Sequence, residues 1–431
     1  MNEFRATHAR YWVVIFAVAL AVITYIDRVC ISQAAPLMTR DLGLSAVEKG
    51  YVFSAFTLAY ALFEIPGGWL GDLVGPRKVL MRIVVWWSFF TAATGWAWGF
   101  VSLLVTRFLF GAGEAGCFPN LTKAFTAWLP RQERVWAQGI MWMSARWGGA
   151  FTPLLVVWVL TIVSWRKAFG MFGAVGIVWA VFFYKWFRDN PRHHPSLNKA
   201  ELALLQGCEE NASGHGDVPW NKLLSSRTVW MLWIQYAALS YPWYFYITWL
   251  PTYLQEARKL EPQRAAFLSV FPLLFGGLGC LVAGLLSSPL NRQTKSVAKS
   301  RRFLAITGFC GASFFLQLSC RQYDPLLASL LMGLASFAND LTMPGSWATC
   351  MDVGGRWAGT LSGSMNMMGN LGGSIAPVAI GYILQSTRNN WTMTFYIASA
   401  VYLMGAVCWM FIEPTTPIEQ TSTNTLSKPV H

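Results

Sequence analysis

The sequence predicts an all-α membrane protein with twelve transmembrane helices in two six-helix pseudo-repeat halves. Three observations predict it. Of 431 residues, 55% are hydrophobic and only 12% are charged, and the mean hydropathy is +0.40. Average proteins carry about 25% charged residues, so half that charge cannot build a water-facing surface. The apolar residues gather into twelve stretches close to the ~20 residues that cross a bilayer. One polar segment, rich in charge, Pro, Gly and Asn, separates six of these stretches from the other six.

The first span, 11–38, follows a basic stub (Arg5, Arg10). It is uncharged from Tyr11 through Ile26 and resumes after Asp27-Arg28. A signal peptide's apolar core is about 7–15 residues, so this run reads as a retained span. Span 2 (49–70) enters the loop Gly68-Trp69-Leu70-Gly71-Asp72-Leu73-Val74-Gly75-Pro76-Arg77-Lys78, and span 3 (79–98) leaves it. Span 4 (101–124) carries Arg107 and Glu114. Span 5 (136–160) begins beyond Glu133-Arg134, and span 6 (166–187) closes the first half. The second half reads 228–252, 264–286, 301–320, 325–349, 357–384 and 391–412. The expected organisation is an N-terminal bundle (1–187), a cytoplasmic linker (188–227), a C-terminal bundle (228–413) and a cytoplasmic tail (414–431).

Loop charge sets the expected orientation. With the N-terminus inside, nineteen Lys and Arg fall in inner segments, from Arg5 to Lys428, against nine in outer ones. Both termini are therefore expected in the cytoplasm, with the chain multi-pass in the inner (plasma) membrane. The net charge of +13 punctuates apolar runs. It suits an anionic membrane surface and gives no case for nucleic acid. Of eight Cys, six (Cys30, Cys117, Cys280, Cys310, Cys350, Cys408) sit in or against apolar stretches, and no CxxC occurs, so they read as small core hydrophobes. Two sequons, Asn211-Ala212-Ser213 and Asn390-Trp391-Thr392, carry little weight.

The halves share punctuation after their second and fourth spans. The loop at 68–78 has a counterpart in Gly284 and Asn291-Arg292, without the acid. Glu133-Arg134 through Gly139 has one in Arg356-Trp357-Ala358-Gly359. Two repeats around a midplane site is the logic of secondary transporters. Asp72, Arg77 and Arg134 are candidates for a cytoplasmic gating network. The alternative for Arg77 and Lys78 is a plain lipid anchor.

A charge inside a span costs roughly 2.5–3.5 kcal/mol at the helix centre, which makes it a functional candidate. Span 1 has Asp27 and Arg28, pointing about 100° apart; span 4 has Arg107 and Glu114, two turns apart on one face. Span 5 has Arg146 and span 10 has Asp340. Glu64 and Lys123 lie near span ends, where they can snorkel or pair. Three arginines against two carboxylates leave a surplus that an anion would complete, and Arg binds carboxylate or phosphate bidentately. The alternative is a closed set of internal ion pairs. No His lies in a span (His8, His193, His194, His215 and His431 are terminal or in the linker), so proton coupling would fall to Asp27 and Glu114, with Asp340 third. Asn339-Asp340 could equally bond across helices. Tyr25, Tyr60, Trp347 and Asn366 offer polar and aromatic contacts for a sugar-like ligand, or plain packing.

These residues together have a familiar look. The loop Gly68…Asp72…Gly75…Arg77 resembles the signature between the second and third helices of the major facilitator superfamily. Tyr25-Ile26-Asp27-Arg28, Arg107-Phe108…Gly113-Glu114-Ala115-Gly116, Tyr246 through Leu254, and Asp352-Val353-Gly354-Gly355-Arg356…Gly359…Asn366…Asn370 resemble its anion:cation symporter branch. That branch includes bacterial galactonate, glucarate and hexuronate carriers and animal sialic-acid and vesicular glutamate carriers. The resemblance covers nearly the whole chain. It implies the major facilitator fold, proton coupling at Asp27 and Glu114, carboxylate binding at Arg28 and Arg107, and substrate contacts at Tyr25, Tyr60, Trp347 and Asn366. Two features depart from the pattern: Asp340 is an extra acid, and the second copy of the loop has lost its acid.

The expected function is proton-driven symport of a small organic anion, a sugar acid such as a hexonate, hexuronate or aldarate, by alternating access. The alternatives are another carboxylate, such as an aromatic acid, or an efflux antiporter. An enzyme is not expected, since there is no HExxH, no buried His and no nucleophile motif; a sensor would want a further domain. No cofactor and no metal are called for. The expected partners are the anionic substrate, protons and the lipid bilayer, with the protein acting as a monomer.

Overall fold

The computed structural model describes residues 6–205, 208, 218–388 and 390–418. Arg5, the sequon at Asn211, His215, Lys428, His431 and the tail beyond residue 418 lie outside the described residues. In chain order the helices are α1 (Tyr11–Leu42), α2 (Ala46–Val74), α3 (Pro76–Thr94), α4 (Phe100–Glu114), α5 (Cys117–Trp128), α6 (Arg134–Ile162), α7 (Trp165–Trp186), α8 (Lys199–Leu204), α9 (Trp220–Ser225), α10 (Arg227–Thr248), α11 (Leu250–Glu256), α12 (Pro262–Leu268), α13 (Phe271–Thr294), α14 (Val297–Cys320), α15 (Pro325–Asp340), α16 (Met343–Gly354), α17 (Ala358–Ser386) and α18 (Trp391–Phe411).

Local chemistry sets the ends. The Ser45 hydroxyl accepts from the Glu48 N–H while the Glu48 carboxylate accepts from the Ser45 N–H, a reciprocal cap that starts α2. Gly75, at φ 93°, turns the chain so that Pro76 can open α3. Asp324 caps α15, and Asn390 caps α18 with the Thr392 N–H as donor. Four of the spans expected from sequence are each built from two helices: α4–α5, α10–α11, α12–α13 and α15–α16. The first break falls at Gly116 (φ 82°), where a Cβ would stand 2.7 Å from the Gly67 Cα; the break and the two glycines let α2 pass against it.

Among the described residues, eight helical stretches are long and apolar enough to cross a bilayer by length and composition, one of them being 325–386, which joins two expected spans. The outer surface is apolar, with Leu154, Phe182, Val378 and Met410 exposed, while Arg107, Glu114, Asp340 and Asn339 are buried. That inversion of the soluble pattern is what a lipid solvent demands.

The packing repeats. In the first half α1 lies on α6, α2 on α4, and α3 on α7. In the second half α10 lies on α17, α13 on α15, and α14 on α18. Across the halves α2 meets α17 and α6 meets α13. Each contact in one half has its counterpart six spans later. Small residues allow the crossings. A Cβ on Gly359 would come 2.5 Å from the Gly68 carbonyl, and one on Gly139 would come 2.5 Å from the Cys280 carbonyl.

Candidate functional site

The midplane site is built on α1, α2 and α4. Asp27 and Arg28 diverge, as adjacent helical positions must. Arg28 turns inward: its Nε donates to Glu114 Oε1 at 3.0 Å, Nη2 bonds the same oxygen, and its guanidinium lies over the rings of Tyr60 (4.7 Å), Phe56 (5.2 Å) and Tyr25 (5.4 Å). Asp27 turns away from it, accepts from Trp87 Nε1 at 3.1 Å on α3, and borders an apolar cavity of about 250 Å³ between α1, α6 and α7. Arg107 is 1% exposed and lies between the rings of Phe110 (4.2 Å) and Phe56 (5.4 Å). Four buried atoms here have no hydrogen-bond partner: Asp27 Oδ1, Arg107 Nε and Nη1, and Glu114 Oε2.

The expected surplus of positive charge is corrected by this geometry. Arg28 is neutralised by Glu114, and Arg146 by Asp340, whose Oδ2 and Oδ1 accept from Nε (2.8 Å) and Nη2 (3.1 Å). Two carboxylates pair two of the three arginines, and Arg107 is the one of the three with buried nitrogens that lack a partner. Arg146, expected as a substrate contact, is an internal ion-pair partner here. Trp347 is fully buried, donates to Tyr236 OH at 2.9 Å and packs on Trp142 (centroids 5.1 Å apart), a packing role in this conformation. Asn366 donates to Glu64 across the halves, joined by Asn370 at 3.2 Å. Of the two expectations for Glu64, snorkelling or pairing, the structure shows pairing. Glu64 is completely buried, because α17 lies over α2 and supplies two amides in place of water.

The second cluster lies at the end of the bundle that carries the linker. The Asp72 carboxylate accepts from the Gly359 N–H (3.0 Å), the Thr360 N–H (2.6 Å) and the Thr360 hydroxyl (2.7 Å), all at the N-terminus of α17, and Lys123 stands 3.4 Å away. A carboxylate on a helix N-terminus is favoured by the unpaired N–H groups and the helix dipole. Arg134 pairs with Asp352 of the other half, which also faces Arg301 (2.7 Å) and Arg131 (3.3 Å). In place of the expected single network of Asp72, Arg77 and Arg134, the structure has Asp72 and Arg134 in two separate clusters and Arg77 in neither. Arg77 reaches the Tyr184 carbonyl (Nη2, 2.7 Å) and stacks on its ring at 4.3 Å, since α3 delivers it to α7.

Sequence reasoning gave Asp352, Lys123 and Arg301 no role in these clusters and left the partner of Glu64 unnamed. Only Asp352 lies in a quoted motif; the partners of all four lie on the other half or on another helix. Outside the membrane, burial raises the Glu201 carboxyl, but hydrogen bonds from Thr7, from the backbone N–H groups of Arg10 and Ala9, and from the Arg10 side chain outweigh it and hold its pKa below the ordinary glutamate value. Among the described residues no group of three or more His, Cys, Asp or Glu is placed to hold a metal.

Two pseudo-repeated six-span halves, joined at one end around buried charge, are the architecture of a membrane carrier. The chain matches the family model of the Major Facilitator Superfamily over residues 17–377 and belongs to that family, whose fold has twelve transmembrane helices; it is a transporter rather than an enzyme. It is similar to the probable sulfoacetate transporter SauU of Cupriavidus necator, 36% identical over 407 residues and 92% of each chain. It is also similar to the probable galactarate/D-glucarate transporter GudP of Escherichia coli (33% over 402 residues, 89% of each chain) and the hexuronate transporter of Bacillus subtilis (29% over 406 residues, 93% of this chain and 94% of that one). Among solved structures, the proton:xylose symporter XylE aligns with TM-score 0.71 at 13% identity, covering 94% and 96% of the two chains. The human organic anion transporter MFSD10 aligns with TM-score 0.72 at 14% identity, covering 93% and 99%. At that identity they speak for the fold alone.

Proposed function

We propose that this protein takes up a small organic anion, a sugar acid, together with protons, by alternating access. The relatives above are named for sulfoacetate, galactarate or glucarate, and hexuronate, which share a hydrophilic skeleton ending in an acid group. The observation that carries the reading is the Arg28–Glu114 pair beside Arg107. Glu114 occupies Arg28 as an internal anion, and Arg107 holds two buried donors without partners. A dry site cannot keep Glu114 charged while a substrate carboxylate takes its place on Arg28. Glu114 therefore leaves as the neutral acid, and substrate entry is tied to a proton. Asp27, beside Arg107 and facing away from Arg28, serves as a second proton carrier. Tyr25 and Tyr60 frame the substrate.

The driving force is the proton gradient, with no cofactor, and the protein works as a monomer in the inner membrane with both termini in the cytoplasm. In that orientation the latched end faces the cytoplasm, and substrate enters from the opposite side. Purified protein in proteoliposomes is the test. Adding a hexonate, hexuronate or aldarate to vesicles without a gradient should alkalinise the external medium as substrate enters. Uptake without alkalinisation would remove proton symport. Uptake confined to aromatic acids would remove the sugar-acid assignment.

A further inference from the structure

The molecule holds a second arginine–carboxylate pair of the same design as the first, and the function above does not use it. Arg146 on α6 and Asp340 on α15 join the two halves. The guanidinium is gripped by both carboxylate oxygens and capped by the Trp243 ring at 3.4 Å, with Met343 Sδ 3.6 Å from Nη2. Arg146 is 2% exposed and Asp340 fully buried. Gly276 makes room for the carboxylate, since a Cβ there would stand 2.6 Å from Asp340 Oδ2. Arg28 has the same arrangement: a guanidinium under aromatic rings, neutralised by a buried acid. Tyr25 links the two, since it lies under Arg28, packs against Gly148 and Gly149 on the turn following Arg146, and is within electrostatic reach of both guanidiniums.

A buried ion pair is a weak source of stability, because apolar residues of like volume do as well or better. Its retention beside the first pair calls for another use. We infer that Arg146 is a second anion subsite and that Asp340 is its resident stand-in, displaced when the substrate carries a second acidic group. The favoured ligand class is then a small dianion, such as an aldarate or a sulfonated carboxylate. This deepens the uptake function proposed above and rests on it. One acid group takes Arg28 and Arg107, and the other takes Arg146. Asp340 gives up its partner and keeps its bond from Asn339 Nδ2 (3.0 Å). The titratable and charged groups facing Asp340 are Arg146 from α6, Cys280 from α13, Tyr236 and Tyr246 from α10, and Tyr402 from α18. Among the described residues Arg146 is the one charged side chain at ion-pairing distance from it.

The experiment is direct binding of glucarate and sulfoacetate (dianions) and of galactonate and glucuronate (monoanions) to the purified full-length protein. Two variants are compared, Asp340→Asn and the charge-neutral pair Arg146→Met with Asp340→Leu. Asp340→Asn removes the competitor, so the dianion-to-monoanion affinity ratio should rise about fivefold. The paired variant removes the subsite, so the ratio should fall about tenfold, the scale of one charge-assisted pair. A merely structural pair moves melting temperature in both variants and leaves the ratio unchanged, and that result overturns the inference. Should the paired variant fail to fold, the direction of change in Asp340→Asn decides alone. If the wild type binds monoanions and rejects dianions, this inference falls and the uptake function stands. Binding of neither class overturns both.

Discussion

The midplane and the linker end both bury carboxylates, yet they finish them differently. Asp72 receives three donors from the α17 N-terminus and has Lys123 beside it, and Asp352 faces three arginines. At the midplane, Glu114 and Asp27 each keep one oxygen without a hydrogen-bond partner and Arg107 keeps two unpartnered nitrogens; Asp352 Oδ2 also lacks a hydrogen bond but stands 2.7 Å from Arg301 Nη2. Each linker-end acid takes bonds from the opposite half, Asp72 from α17 and Asp352 from Arg131 and Arg134, so these bonds join the halves and would have to break for that end to open. The midplane acids of the first half are engaged within it, so their partners can be exchanged without moving the halves. One region is finished like a latch and the other like an exchange site.

The comparison breaks most visibly at the midplane. Replacing Arg28 with Ala leaves the buried Glu114 carboxylate without its partner, a change of about 3–5 kcal/mol, and replacing Arg107 with Ala removes the two buried donors that have no partner. Equilibrium binding of an acid substrate should become undetectable, and unaltered affinity would remove the exchange site. Glu114→Gln keeps the shape and loses the titration. Accumulation driven by a pH gradient should stop while substrate counterflow persists, and continued accumulation would take Glu114 out of coupling. At the latch, Asp72→Asn and Asp352→Asn should each shift the balance between conformations by about 1–3 kcal/mol, the cost of a charged hydrogen bond. A cysteine placed beside Gly68 should then label faster from the linker side, while binding affinity changes less than in the arginine variants; equal loss of binding would erase the distinction between the regions.

Gly359→Ala should act in the same direction without touching charge, because its Cβ meets the Gly68 carbonyl at 2.5 Å when the latch is closed. Slower linker-side labelling in this variant would show that the crossing is not a feature of the closed state. The smallest effect is expected outside both regions. Glu201 holds Thr7, Ala9 and Arg10, and its lowered pKa means its stabilisation is present above the ordinary glutamate value and lost as pH falls through the folded-state value. Glu201→Gln should lower stability by about 1 kcal/mol at neutral pH, and the difference from wild type should vanish in acid, as thermal melts would report.

Much of the fold was legible because lipid imposes one rule along the whole chain. The stretch from Tyr11 to Met38 had to be a helix, and so did 391–412, since no other backbone satisfies its own hydrogen bonds in hydrocarbon. Breaks such as Gly116 were harder to see, because a glycine in an apolar run also serves close packing. At the site, hydropathy singled out Asp27, Arg107 and Glu114, which the structure buries, and Arg28, whose side chain is a quarter exposed. It left Glu64 open between snorkelling and pairing, because what decides for pairing is Asn366 and Asn370, three hundred positions along the chain. It misjudged Arg77, whose motif neighbours are Asp72 and Gly75 and whose actual partner is the Tyr184 carbonyl on α7.

Composition and spacing by themselves determined a helical membrane protein of two similar halves with costly charges at a few depths. Only the tertiary structure decided which acid answers which arginine. A helix constrains neighbours three and four residues away, whereas Arg28 meets Glu114, Arg146 meets Asp340, and Asp72 meets Thr360 through the packing of different helices. Transfer energies report whether a charge is buried, and pairing geometry decides whether it is fastened or available.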